Sequence, residues 1–180
     1  MIYNSASDWV GGNAEGDITV VEFMDYRCGY CRKAYQEVEE LVKTDGNIRF
    51  VLKEFPILGE QSMLSSQFAI AVKLLYGEDA YKSAHDALIS AVGRRDRRNA
   101  AGWRRTGLHD PAAVAEKDEG GRGRMAIITA NHELATTMEI NGTPTLSSTR
   151  PWCAAMCRWT ECADRPENSQ GLALSPVGWI

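Results

Sequence analysis

The stretch Ile18–Lys33 reads ITVVEFMDYRCGYCRK, and at its centre lies Cys28-Gly29-Tyr30-Cys31. A run rich in β-branched and aromatic residues, Ile18, Val20, Val21 and Phe23, leads straight into this Cys-x-x-Cys. Ala34, Val38, Leu41 and Val42 then recur at helical spacing on one apolar face. The pattern predicts a strand over Ile18–Met24, interior to a sheet, and a helix that starts at the cysteines. Unpaired backbone N–H groups and the helix dipole favour negative charge at such a start. A thiolate there is the nucleophile of disulfide exchange, and Cys31, one turn on, can attack the first sulfur. This is the redox reading of a Cys-x-x-Cys beside a βαβ pattern. The competing reading, half of a zinc site or two structural cysteines, asks for a second ligand pair. No His lies within fifty residues of Cys31.

Outward from the motif, Thr44-Asp45-Gly46-Asn47 ends the helix, and Ile48–Phe55 (IRFVLKEF) forms a second strand. A helical crossover makes it parallel to the first. Glu22 interrupts the first strand. Facing solvent it needs nothing, but buried it must pair or hold a proton, and Lys53 is a candidate partner. Asp25 is the second candidate for a proton-handling role and otherwise a turn residue. Arg27, Arg32 and Lys33 flank the cysteines; nearby positive charge lowers a thiol pKa, although a solvated helix start is the favoured account of them. Residues 1–16 hold Gly11, Gly12, Asn13 and Gly16 and read as a surface lead-in, with Trp9 and Val10 docked on the domain.

Residues 60–92 read as two helices broken at Gly77, with Ser62 as N-cap of the first. Leu64, Phe68, Ala71, Val72 and Leu75 face inward in one, and Ala80, Ala84, Ala87, Leu88 and Ala91 in the other. His85 is assigned no chemistry. Gly93–Arg105 carries six Arg in thirteen residues and reads as a solvated surface. Asp110–Lys117 reads as a short helix, and Met125–Met138 as a longer one that carries His132. The chain then reaches Ile140-Asn141-Gly142-Thr143-Pro144-Thr145.

The two motifs together, EFMDYRCGYC and, about 115 residues on, Gly-Thr-Pro-Thr, resemble the DsbA-like family of thiol–disulfide oxidoreductases, a branch of the thioredoxin fold. The likeness runs over about residues 8–146. It implies an α/β, thioredoxin-like domain over 17–146 with a helical insertion over about 60–139. It implies that Cys28 forms the mixed disulfide and Cys31 resolves it. Glu22, six residues before the first Cys, is where the family keeps a buried acid, which would pass protons to and from Cys31. Pro144 would be cis and face the cysteines, so that Gly29, Tyr30, Thr143 and Pro144 meet the substrate. No cofactor is implied beyond the cysteine pair. The implied partners are proteins with thiols or disulfides and a membrane or soluble redox protein that recycles the site. The implied location is the periplasm or cell envelope, although the start of the chain lacks a signal-peptide pattern. Gly-Tyr between the cysteines occurs in the isomerase branch, whose members carry a dimerisation domain before the first strand. Only 17 residues precede it here, which points to an oxidase-like or general oxidoreductase monomer. Isomerase or reductase activity is the alternative direction, and a non-catalytic peptide- or metal-binding module is the alternative class.

The totals agree. One domain of 180 residues can bury a sizeable core. A net charge of −4 leaves no footprint for nucleic acid, and no apolar run is long enough for a membrane span. The five cysteines leave at least one thiol unpaired.

The likeness stops after Leu146, where the family needs two antiparallel strands and a helix. Residues 147–180 instead hold three Cys, three Trp and three Pro with no sustained period. Cys153, Cys157 and Cys162 have poor metal-ligand spacing. Codons can be chosen for Ser147–Cys162 so that a frame two bases on reads I-D-A-T-M-V-R-G-Y-V-P-L-D-G-M, a strand–turn–strand pattern. The stretch DEGGRGR, with one base fewer, permits the better helix D-E-A-V-A-A. Both readings point to reading-frame slips, one near Leu146 and one between about 93 and 124.

Overall fold

The computed structural model describes residues 2, 3, 5, 7–90, 114 and 121–149. Its elements run β1 (Trp9–Gly12), β2 (Ile18–Met24), α1 (Gly29–Asp45), β3 (Ile48–Glu54), α2 (Glu60–Tyr76), α3 (Glu78–Ser90), α4 (Arg122–Thr137) and β4 (Thr145–Ser148). Four strands form one sheet in the order β1-β3-β2-β4. β2 and β3 are parallel, Val20 opposite Phe50 and Glu22 opposite Leu52. The outer strands run antiparallel, Trp9 opposite Leu52 and Glu22 opposite Leu146.

β2 is interior because its side chains are apolar on both faces. Val20 and Met24 pack on the side of α1 and α3, with Cys28, Cys31, Ile48, Phe50 and Leu52. Val21 and Phe23 pack on the other side with Val51, Phe55, Ala135 and Ile140. α1 lays Tyr35, Val38, Leu41 and Val42 on the first of these layers. It ends at Gly46, whose φ of 69° is the left-handed cap that glycine adopts without strain.

The lead-in is more than surface. Residues 9–12 are an edge strand, although Gly11 and Gly12 predict a turn. The reason is the Trp9 indole, which folds across its own strand. A Cβ at Gly11 would lie 2.2 Å from Trp9 Cη2. The indole then meets Phe50 edge-on and lies against Tyr81, at 6.4 and 5.9 Å between ring centroids. Asp8, just ahead, takes Lys53 as its partner at 2.6 Å, and both side chains are buried. Lys53 therefore does not pair with Glu22.

The inserted helices also turn differently from their apolar pattern. α2 begins at Glu60 after Gly59, so Ser62 is no cap. Ser62 and Ser66 are fully buried instead, while Leu64 is half exposed. On α3 the buried residues are Tyr81, Ala84, His85 and Ile89, a face one position round from the alanine stripe. Both shifts have one cause. Asp25 and Glu54, at the ends of β2 and β3, are buried carboxylates that need donors, and Ser62, Ser66 and Tyr81 supply them. Val114 packs against Ala71, Val72 and Ala84.

Sheet pairing also continues past Leu146, because Ser147 and Ser148 pair with Val21 and Val20. The Arg-rich run 93–105, the rest of the helix expected over Asp110–Lys117, Cys153, Cys157, Cys162 and the tail from 150 lie outside the described residues. No described helix is long and apolar enough to cross a membrane.

Candidate active site

Cys28 is the N-cap of α1, with extended backbone (φ −72°, ψ 122°). Its sulfur accepts from the backbone N–H of Cys31 at 3.4 Å. This is the capping position in which a side chain satisfies an orphan helix donor. On its other side the Cys28 thiol donates to the carbonyl of Thr143 at 3.1 Å. The Thr143–Pro144 peptide bond is cis. Thus the two motifs meet at one sulfur. Both cysteines are free thiols, Cys28 6% and Cys31 1% exposed. Burial pushes the Cys31 thiol far up; a backbone hydrogen bond from Asp25 opposes this, and Glu22 and Cys28 add to it.

Gly29 opens α1 and is exposed, and Tyr30 stands out half exposed beneath the Lys33 ammonium, 5.6 Å from its ring centroid. The Arg32 guanidinium donates to the Tyr26 carbonyl at 3.1 Å. Ile57 and Leu58 add exposed apolar surface. Their N–H groups donate to Asp25 at 2.8 and 3.0 Å.

Glu22 is buried at the middle of β2, on the face that carries Cys31. Burial, then the charge of Glu39, raises its pKa to about 8. No hydrogen bond to its carboxyl is found among the described residues. Asp25, the second candidate acid, is committed elsewhere. It accepts from Arg27 N, Ile57 N, Leu58 N and Ser62 Oγ, and so ties the turn before Cys28 to the start of α2.

A further buried acid, Glu54, was not singled out from the sequence. It ends β3, opposite Met24. Its carboxylate accepts from Tyr26, Tyr81 and Ser66, each at 2.7 Å. Burial raises its pKa to about 7 against those three hydrogen bonds. His85, assigned no chemistry above, lies 3.2 Å from the Tyr26 hydroxyl, and burial holds it down at about 4. The one available signal was the carboxylate in a run with apolar neighbours, the same interruption that marked Glu22. His132 lies against Phe55, 4.7 Å between ring centroids. Among the described residues no group of three or more His, Cys, Asp and Glu is arranged to hold a metal ion.

Comparison with known proteins agrees with this geometry. A family model described as Thioredoxin matches residues 4–148. A thioredoxin-like oxidoreductase from Silicibacter pomeroyi DSS-3 superposes with a TM-score of 0.74 at 35% identity, over 83% of this chain and 84% of that one. The thiol-disulfide exchange protein alpha-DsbA2 from Wolbachia pipientis gives 0.70 at 25% identity, over 79% and 76%. BdbD from Bacillus subtilis shares the fold, with 0.68 at 19% identity over 81% and 83%. Among curated proteins, a Na(+)/H(+) antiporter NhaA 1 from Salinispora arenicola is 34% identical over 86 residues, 48% of this chain. The chain spans only 13% of that relative's length, so ion transport is not carried over. On the family match, the fold and the paired sulfurs, the chain belongs to the thioredoxin family.

Proposed function

We propose that this protein exchanges disulfides with protein substrates through Cys28, with Cys31 as the resolving thiol. The observation that carries the reading is the placement of Cys28 Sγ, between the Cys31 N–H at the head of α1 and the Thr143 carbonyl. A helix start stabilises a thiolate both as nucleophile and as leaving group. In the oxidising direction a substrate thiolate attacks Cys28 of the Cys28–Cys31 disulfide. The S–S bond breaks, and Cys31 leaves as a thiolate and takes a proton. A second substrate thiolate then attacks the substrate sulfur of the mixed disulfide. Cys28 is released, the substrate is oxidised by two electrons and the enzyme is left as the dithiol.

Glu22 is the proposed proton donor and acceptor for Cys31. A carboxyl held near 8 carries its proton at neutrality and can still give it up. Gly29, Tyr30, Thr143 and Pro144 are proposed to meet the substrate, with the exposed Tyr30, Ile57 and Leu58 as its apolar footing. Backbone beside Pro144 can pair with an extended peptide. The chemistry as written needs only the two sulfurs, and a separate redox protein must restore the disulfide after each turnover. The proposed setting is the cell envelope and the proposed unit a monomer.

The test is dithiol-driven insulin reduction together with oxidation of a reduced, unfolded protein by the disulfide form. Exchange in both, abolished by Cys28→Ser, is expected. Peptide binding with no exchange would favour the non-catalytic module. Faster reshuffling of scrambled disulfides than net oxidation would favour the isomerase direction.

A further inference from the structure

Outside the two motifs, a buried polar cluster surrounds Glu54. Its Oε1 accepts from both Tyr26 and Tyr81, and its Oε2 from Ser66. Tyr26 has one hydroxyl proton, and it is spent on Glu54. His85 Nδ1, 3.2 Å from the same oxygen, must therefore carry its own hydrogen and donate. The proton order is His85 Nδ1–H to Tyr26 O–H to the Glu54 carboxylate. The imidazole is wedged between Tyr81, nearly parallel to it at 21°, and Tyr35, 5.7 Å away edge-on.

Such a cluster is a poor device for stability alone. Well-packed apolar residues of the same volume serve as well or better than a buried charge with its donors. What sets this one apart is where Tyr26 stands, two residues before Cys28. The Tyr26 carbonyl is held by Arg32 at 3.1 Å. The preceding carbonyl, of Asp25, accepts from Cys28 N at 3.0 Å. The Asp25 side chain is tied to Ser62 on α2. Two buried carboxylates thus tie the turn 25–27 to the inserted helices: Asp25 through Ser62 on α2, and Glu54, which takes Tyr26, through Ser66 on α2 and Tyr81 on α3. We propose that Tyr26 and Glu54 are positioning residues, by which the inserted helices α2 and α3 hold the turn that sets Cys28 at the head of α1.

The proposal rests on the exchange reading above and deepens it. It has a redox consequence. In the disulfide form Cys28 is held by its bond to Cys31. In the dithiol form the turn, the cap and the hydrogen bond to the Thr143 carbonyl keep the sulfur at the helix start. Loosening Tyr26 therefore weakens the reduced form more than the oxidised one, and the equilibrium shifts toward the disulfide.

The experiment is the equilibrium of the whole protein with glutathione, enzyme disulfide plus two glutathione thiols giving enzyme dithiol plus glutathione disulfide. Wild type, Tyr26→Phe and Tyr81→Phe are compared. The two variants remove one hydroxyl each from the same carboxylate oxygen, but only Tyr26 belongs to the turn. Tyr26→Phe is expected to lower the equilibrium constant for enzyme reduction by about fivefold, the worth of one buried hydrogen bond, and Tyr81→Phe by less than about twofold. Equal shifts in both, or none in Tyr26→Phe, would make the cluster mere packing and overturn the proposal. If Tyr26→Phe does not fold, His85→Phe tests the same link from α3. A shift toward the disulfide supports the proposal, and no shift overturns it. A wild type that never equilibrates with glutathione sinks the exchange reading itself, a failure distinct from an active wild type whose variants respond alike.

Discussion

The thiol of Cys28 and the carbonyl of Thr143 are joined by a 3.1 Å hydrogen bond across a sequence separation of 115. The bond forms because β4 runs antiparallel beside β2, with Thr145 opposite Phe23. That pairing carries the loop before β4 to the end of the sheet where α1 starts. The two groups joined by this bond therefore come from opposite ends of the described fold.

Alkylation of the reduced protein near neutral pH should label Cys28 before Cys31. The Cys28 sulfur sits at the helix start, whereas Cys31 is 1% exposed and burial drives its thiol to stay protonated. Peptide mapping after a short iodoacetamide pulse reads the order. Faster labelling of Cys31 would reverse the two roles.

Removal of the resolving thiol should trap substrates. With Cys31→Ser, Cys28 can form a mixed disulfide that nothing within the protein releases. Non-reducing gels should show adducts with a reducible substrate protein, cleared by dithiothreitol. Cys28→Ser should show few, since the remaining sulfur is enclosed. Equal adducts from both variants would contradict the assigned nucleophile.

Glu22→Gln should change both the pH dependence of stability and the rate of exchange. The folded carboxyl keeps its proton to about 8, whereas the unfolded one releases it near 4.5. Between those values the native state binds more protons, so the Glu22 contribution to stability is lost as pH rises through that window. Its full size is roughly a few kcal/mol. His85 acts oppositely, adding stability as pH rises from about 4 to 6.5, but it is common to both proteins and cancels in the difference. Urea unfolding at pH 5 and pH 8 should show the variant losing less stability than wild type. Exchange should slow by roughly tenfold or more if Glu22 moves the proton of Cys31. An unchanged pH–rate profile would leave Glu22 a structural residue.

Asp8→Ala should destabilise the fold strongly. It leaves Lys53, buried at 1% exposure, without the carboxylate 2.6 Å away. Breaking one side of such a pair costs about 3–5 kcal/mol, while apolar replacement of both is often neutral or better. Asp8→Leu with Lys53→Met should therefore recover most of the loss in urea titrations. A double variant no more stable than the single would mean that the pair specifies the β1–β3 docking.

What could be read from the chain alone was whatever depends on local order. Ile18–Met24 is apolar on both faces, so it is a strand between two others. The cysteines stand between that strand and an amphipathic run, so they start a helix. Thr143-Pro144 was recognisable as the second motif only because a whole pattern, not one residue, carries the resemblance. The tertiary structure decided which polar groups meet. Glu22 and Lys53 lie on neighbouring strands but point to opposite faces, since Glu22 is opposite Leu52 and strand side chains alternate. Lys53 accordingly goes to Asp8. Leu64 is outside and Ser62 and Ser66 inside because two buried carboxylates outweigh the apolar stripe. His85 gains partners only when α3 packs against the turn at Tyr26, 59 positions away. Hydrophobic period shows which face of a segment is dry. It cannot show which buried acid waits beneath, because that acid arrives from another strand.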